Sequence, residues 1–257
     1  MSELSGALSG PLSGATTMTG RELRLTLRKP DALITGLVMP VMIMVVFVYL
    51  FGGAVSIGTK YVTYVVPGVL LLCAITGSAP TATSVCQDMT GGIIDRFRSM
   101  DVSGMAIVGS HVVASLVRNI ISTALLFGVA FAMGFRPHAT AAAFLGAVGV
   151  LALFVVAVSW LCAAFGLLVS SVEAANSAMF LMFLAYPSSG FAPVSTMPWW
   201  LRGFAGNQPM TPIIETIRGL LLGQGAGSHL WLALIWCCAI LAVSAAASGL
   251  LFRRRTA

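Results

Sequence analysis

Long apolar runs, separated by short polar stretches, dominate this chain. Five of them, Ala32 to Phe51, Val62 to Cys86, Ile107 to Met133, Ala141 to Val169 and Leu230 to Phe252, reach the roughly 20 residues that a helix needs to cross a bilayer. A sixth, Ala174 to Phe191, is shorter and carries Pro187 and Gly190 near its end. The pattern predicts an all-α integral membrane protein with six transmembrane helices. Pro40 falls inside the first run, and Pro67 and Pro80 inside the second. Each removes a backbone donor and is expected to bend its helix.

The polar stretches differ in kind. Residues 1–18 are rich in Ser, Gly and Thr, lack the apolar block of a cleaved signal peptide, and are expected to be a disordered tail before a single domain at 19–257. From Thr19 to Lys29, TGRELRLTLRK sits directly before the first apolar run. That position favours a short basic helix lying in the interface. The turn GFRPH at Gly134 to His138 and the four residues Ser170 to Glu173 join neighbouring runs tightly. Gly146, Gly149, Ala157, Ala163, Ala164 and Gly166 in the fourth run are small enough for close helix approach.

Gln87 to Ser103, QDMTGGIIDRFRSMDVS, is different again: a polar island carrying Asp88, Asp95, Arg96, Arg98 and Asp101 between two apolar runs. On a helix, Ile93, Ile94, Phe97 and Met100 fall at i, i+1, i+4 and i+7 and form one apolar face, with Asp95, Arg96, Arg98 and Ser99 toward the other side. Such a segment can seat its apolar face in a partner's cleft; the plainer alternative is a solvated loop.

The second informative stretch runs from Phe191 to Gly227, with Pro193, Pro198, Pro209 and Pro212 and the pair Trp199 and Trp200. Tryptophan favours the membrane interface. Thr211 to Leu222 is expected to form a short helix with Pro212 in its first turn, placing Glu215 and Arg218 at i, i+3, where they can pair. One or two short helices dipping partway into the outer side are expected, because irregular backbone at that depth must be buried in protein or line a water-filled cavity.

Composition supports a membrane location. Of 257 residues, 58% are hydrophobic and only 9% charged, and mean hydropathy is +0.97, well away from the soluble norm of about a quarter charged. The net charge of +6 reflects orientation and not nucleic-acid affinity. With the N-terminus inside, Arg21, Arg24, Arg28, Lys29, Arg96, Arg98, Arg253, Arg254 and Arg255 fall on the cytoplasmic side, as the bias of basic residues toward cytoplasmic loops requires. Lys60, Arg136, Arg202 and Arg218 fall outside, and both termini are cytoplasmic. Arg118 is left within the third run. It either snorkels from an interfacial stretch spanning Gly104 to Arg118 or faces a partner or substrate in a polar cleft.

Reactive constellations are missing. The cysteines, Cys73, Cys86, Cys162, Cys237 and Cys238, lie inside or at the ends of apolar runs without zinc or disulfide spacing. His111, His138 and His229 are scattered, so neither a metal site nor a catalytic site is expected. Neither lysine sits in a GxxxxGK[ST] context. No run carries Asp or Glu at its centre, which disfavours a proton-coupled carrier. Any energy for transport must then come from a partner.

In this order, the features resemble the membrane permease subunits of type-2 ATP-binding-cassette exporters, in the daunorubicin-resistance-like branch. The motifs are Asp88 four residues before Gly92, then IIDRFRSM at 93–100, Arg118, GFR at 134–136, and the proline-tryptophan run from Pro193 to Pro212 followed by Arg218-Gly219. The resemblance covers nearly all of the chain after residue 18. It implies an interfacial N-terminal helix and a coupling helix between spans two and three, formed by Asp88, Gly92, Ile93, Ile94, Asp95, Arg96, Phe97, Arg98 and Met100. It also implies an external re-entrant hairpin that includes Trp199, Trp200, Gln208, Pro209, Glu215 and Arg218. The implied partners are a second permease, identical or related, and two ATPase subunits that hold ATP and magnesium; this chain holds no cofactor. The cargo would be a drug, antibiotic or lipid leaving through the plasma membrane. The family commonly has Glu where Asp88 stands and Pro where Asp101 stands. An ATP-independent carrier or channel, or an exporter of a glycolipid or polysaccharide intermediate, is the competing expectation.

Overall fold

A computed structural model describes residues 30–52, 60–91 and 104–256, and among these every regular element is helical. The disordered tail expected at 1–18, the interfacial helix at 19–29 and most of the coupling segment, Gly92 to Ser103, lie outside the described residues.

Helix α1, Pro30–Val46, continues through a π turn at Phe47–Phe51 and passes through Pro40. The second apolar run forms two helices, α2 at Tyr61–Ser78 and α3 at Pro80–Thr90. Pro67 is accommodated inside α2, whereas Pro80 opens α3, the position where a missing N–H costs least. Next come α4, Gly104–Ala132, and α5, Ala141–Leu168. The last long helix is α9, His229–Thr256.

The short sixth run departs from a regular span. Helix α6 occupies only Val172–Asn176, capped by Ser171 Oγ, which accepts from Ala174 N at 3.1 Å. Ser177–Leu184 then tightens into a 3-10 helix, followed by turns through Pro187 and Gly190. A 3-10 helix rises about 2.0 Å per residue against 1.5 Å in an α-helix. Too few residues precede the proline for an α-helical crossing, and the tighter winding gives more length per residue.

Among the described residues, four helical stretches, Tyr61–Thr90, Gly104–Ala132, Ala141–Leu168 and His229–Arg255, are long and apolar enough to cross a membrane; Val38–Leu50 and Val172–Leu184 are apolar but shorter. The most central element is α2, buried along almost its whole length. It packs against α1, α4, α5 and the short helix α8, Met210–Leu221, while α9 lies along α5 at the periphery.

Two turns show why the sequence stops and packs where it does. At the end of α4, Gly134 adopts φ 93°, Gly134 N donates to Phe131 O at 3.1 Å and Phe135 N to Ala130 O at 2.9 Å. This is the paired closure that favours glycine after a helix. Phe135 is fully buried, its ring tilted against those of Phe127 and Phe131 at centroid distances of 6.4 and 6.0 Å. Arg136 Nη1 donates to the carbonyls of Phe131 and Phe135, both at 2.9 Å. The GFR motif is therefore a helix stop.

Gly166, near the end of α5, lies directly against the backbone of Ala82 in α3, so that an added Cβ would meet its carbonyl; Gly149 on the same helix has open space at that position. Gly166→Val is expected to force α3 from α5 and destabilise the protein by about 1–3 kcal/mol, the usual cost of overpacking. Gly149→Val should leave stability nearly unchanged. Thermal unfolding of the purified variants in detergent checks this; equal midpoints for the two variants would contradict the assigned packing.

Candidate functional site

Three polar clusters grip the central α2–α3 pair at successive levels. They contain most of the described polar residues singled out from sequence, and several that were not.

The first lies at the end of α3. Asp88 and His111 are joined by a contact of 3.0 Å between Oδ2 and Nε2, with side chains 13% and 4% exposed. A carboxylate accepts readily from an imidazole N–H, and the low exposure shields the contact from competing water. The contact ties the last turn of α3 to the early turns of α4 across the segment 92–103. Beside it, Cys86 Sγ approaches Val169 O at 3.8 Å, and Arg255 Nη2 donates to Val169 O at 2.6 Å. The end of α3, the start of α4, the end of α5 and the end of α9 therefore share one end of the bundle.

The second sits at the α2–α3 break. Pro80 cannot donate to the helical ladder, and Ala82 N bonds Ala79 O in a tightened turn. Arg118 Nε donates to Gly77 O at 2.8 Å and Nη2 to Thr81 Oγ1 at 3.3 Å. Arg118 is only 7% exposed, which rules out snorkelling and places it in a buried polar cluster. Asn119 Nδ2 donates to Ser115 O at 3.0 Å and to Ser78 Oγ at 3.3 Å. Ser159 Oγ lies 2.8 Å from Ser115 Oγ and 3.2 Å from Ser78 Oγ. Four helices thus meet through short polar side chains.

The third lies at the opposite end of α2. Arg218 Nη1 is 2.6 Å from Glu215 Oε1, and Nη2 donates to Ser189 O at 2.7 Å and Tyr64 O at 3.1 Å. The guanidinium carbon stands 3.8 Å from the centre of the Tyr64 ring, where a cation is attracted to the π face. Gln208 Nε2 donates to Pro187 O, and Pro209 caps α8. Helix α7, Trp199–Asn207, lies outside this cluster, with Trp199 85% and Trp200 65% exposed. The proline-rich stretch therefore divides into a surface helix bearing the tryptophans and a buried helix bearing Arg218.

Gly92, Ile93, Ile94, Asp95, Arg96, Phe97, Arg98 and Met100 lie outside the described residues. Sequence reading missed His111 as the partner of Asp88, because 23 positions separate them. It also missed the polar cluster around Asn119. The i, i+4 spacing of Ser115 and Asn119 within an apolar run was the available signal. No group of three or more potential metal ligands occurs among the described residues.

Comparison with known proteins gives this arrangement a context. The chain is 29% identical over 231 residues to the daunorubicin resistance ABC transporter permease protein of Streptomyces coeruleorubidus, covering 89% of this chain and 82% of that one. It is 24% identical over 239 residues to a probable doxorubicin resistance ABC transporter permease protein of Mycobacterium tuberculosis, covering 92% of this chain and 87% of that one. Residues 14–222 match the ABC-2 type transporter family, so this chain, a membrane permease with its polar groups gathered around one central helix pair, belongs to the ABC-2 type transporters.

Proposed function

We propose that this chain is one permease subunit of an ABC exporter, paired with a second permease and driven by two separate ATPase subunits that bind ATP and magnesium. Its cargo is a hydrophobic or amphipathic molecule resembling daunorubicin or doxorubicin, the drugs in the names of its relatives. The observation that carries this reading is the family match over residues 14–222, together with the similarity to resistance permeases along most of the chain.

In this reading α1, α2–α3, α4, α5, the segment Val172–Leu184 and α9 each cross the plasma membrane, and both termini are cytoplasmic. Support comes from the shared end of the bundle: Arg255 bonds the Val169 carbonyl at the end that also holds Asp88 and His111, which flank Arg96 and Arg98 in sequence, and basic residues gather on the cytoplasmic side. Helices α7 and α8 form an external hairpin, with Trp199 and Trp200 at the interface and α8 re-entering the bundle. The segment 92–103 is the coupling helix, its apolar face of Ile93, Ile94, Phe97 and Met100 seated on an ATPase. Asp88 and His111 hold its two flanks together. ATP-driven closure of the ATPases then biases the helices between two packed arrangements.

Co-expression with a cognate ATPase in drug-sensitive cells is expected to lower cellular daunorubicin several-fold, with the effect lost when the ATPase is inactivated. Unchanged accumulation of both daunorubicin and doxorubicin would remove them as cargo, and failure of any ATPase to copurify would return the chain to the class of independent carriers.

Coupling has its own test. Phe97→Asp should abolish ATPase assembly while membrane insertion remains intact. Asp88→Asn and His111→Gln should each reduce transport, and the double variant should be no worse than either alone, a non-additivity of about 0.5–3 kcal/mol in stability for contacting residues. Additive losses would show that the two side chains act separately.

A further inference from the structure

Between α4 and α5 runs a cleft of about 320 Å³, which borders the second polar cluster at Asn119 and is otherwise lined by apolar side chains and Thr123. Its floor is formed by Leu116, Phe127, Leu151 and Val155, and its rim by Ile120 and Val148. Asn119 contributes to the wall, but its amide is turned inward to Ser78 and Ser115, so essentially no polar atom faces the cleft.

Shape and chemistry narrow the occupant. Along α4 the lining extends from Leu116 to Phe131, a length of about 22 Å at the helical rise. Along α5 the lining extends from Phe144 to Val155, about 17 Å at the same rise, so the cleft is elongated along both helices, as an extended hydrocarbon chain is. The polar atoms of a drug such as daunorubicin would lose water there without gaining partners. Both walls belong to helices long and apolar enough to cross a membrane, and Ile120 at the rim is 58% exposed, so the trench opens where hydrocarbon surrounds the protein.

We propose that this trench binds one acyl chain of a bilayer lipid, held between α4 and α5 toward the Gly134 end of the pair. The site depends only on α4 and α5 being membrane-embedded, so it stands or falls apart from the identity of the exported cargo. Its occupant braces α4 against α5 beside Asn119, next to the break in the central helix pair.

The test uses the full chain in lipid nanodiscs of phosphatidylcholine carrying a photoreactive diazirine in one acyl chain, with labelled residues mapped by mass spectrometry. Ile235 on α9, 61% exposed, serves as the control for ordinary lipid contact. Labelling at Ile120, Ala124, Val148 and Ala152 is expected to exceed that at Ile235 several-fold. Ala152→Phe, which fills the trench, and independently Ala124→Leu at its edge, should bring labelling down to the control level without changing elution of the protein. Equal labelling at α9 and the trench overturns the proposal, as does enhanced labelling that survives both substitutions. Displacement of the label by daunorubicin, or cross-links from the trench to a second copy of the chain, would assign the trench to another occupant.

Discussion

A polar group inside a bilayer has no water to fall back on, so every carbonyl freed by an irregular helix must find a partner within the protein. In this molecule that constraint acts most strongly at residues 77–81, where the most buried helix pair is broken by Pro80. Leaving one buried carbonyl unmet costs about 1–3 kcal/mol. Arg118 supplies donors to Gly77 O and Thr81, and Asn119 with Ser115 and Ser159 satisfies Ser78. Desolvating a guanidinium is itself expensive, so the arginine is retained where a hydrocarbon side chain would pack more cheaply but could donate nothing. Other features follow from this point: α4 must run close to α2, α5 must bring Ser159 inward, and small residues such as Gly166 must let α3 approach.

Much of this architecture is legible in the sequence, because the apolar runs report directly on helices. Ile107 to Met133 and Ala141 to Val169 became α4 and α5 within a few residues, since nothing inside them competes with helical winding. Thr211 to Leu222 became α8 one residue earlier. The run at 174–191 stands out in the sequence as short, with Pro187 and Gly190 near its end, but its winding as a short α-helix followed by a 3-10 helix is not legible there, because hydropathy counts apolar residues and is blind to winding. The polar clusters were the least legible. Glu215 and Arg218 are neighbours on one helix turn, so their pairing can be read locally. Asp88 and His111, or Arg118 and Gly77, meet only after two helices pack, and no periodicity encodes that register. The GFR motif carries a similar lesson, since its glycine and arginine are explained by stopping α4.

The placement of the grips bears on how a push from an ATPase would travel. Two of the three come from α4: His111 holds Asp88 on α3, and Arg118 with Asn119 holds the break. The third, Arg218 on α8, holds Tyr64 near the start of α2. Displacing the first turns of α4 therefore acts on α3 directly, through one short contact. It reaches α2 through packing along its length and, by hydrogen bonds, at the break, where a tightened turn replaces the regular helical ladder. The far end of α2, anchored by a guanidinium with two carbonyl acceptors, a carboxylate and an aromatic face, has the most to lose by moving. The compliant element is then Ala79–Pro80, between the end held by the Asp88–His111 contact and the end anchored by Arg218. Packed interfaces switch between discrete arrangements more readily than they deform, and a helix already broken at a proline can change its angle there without sacrificing a hydrogen bond that an unbroken helix would have to give up.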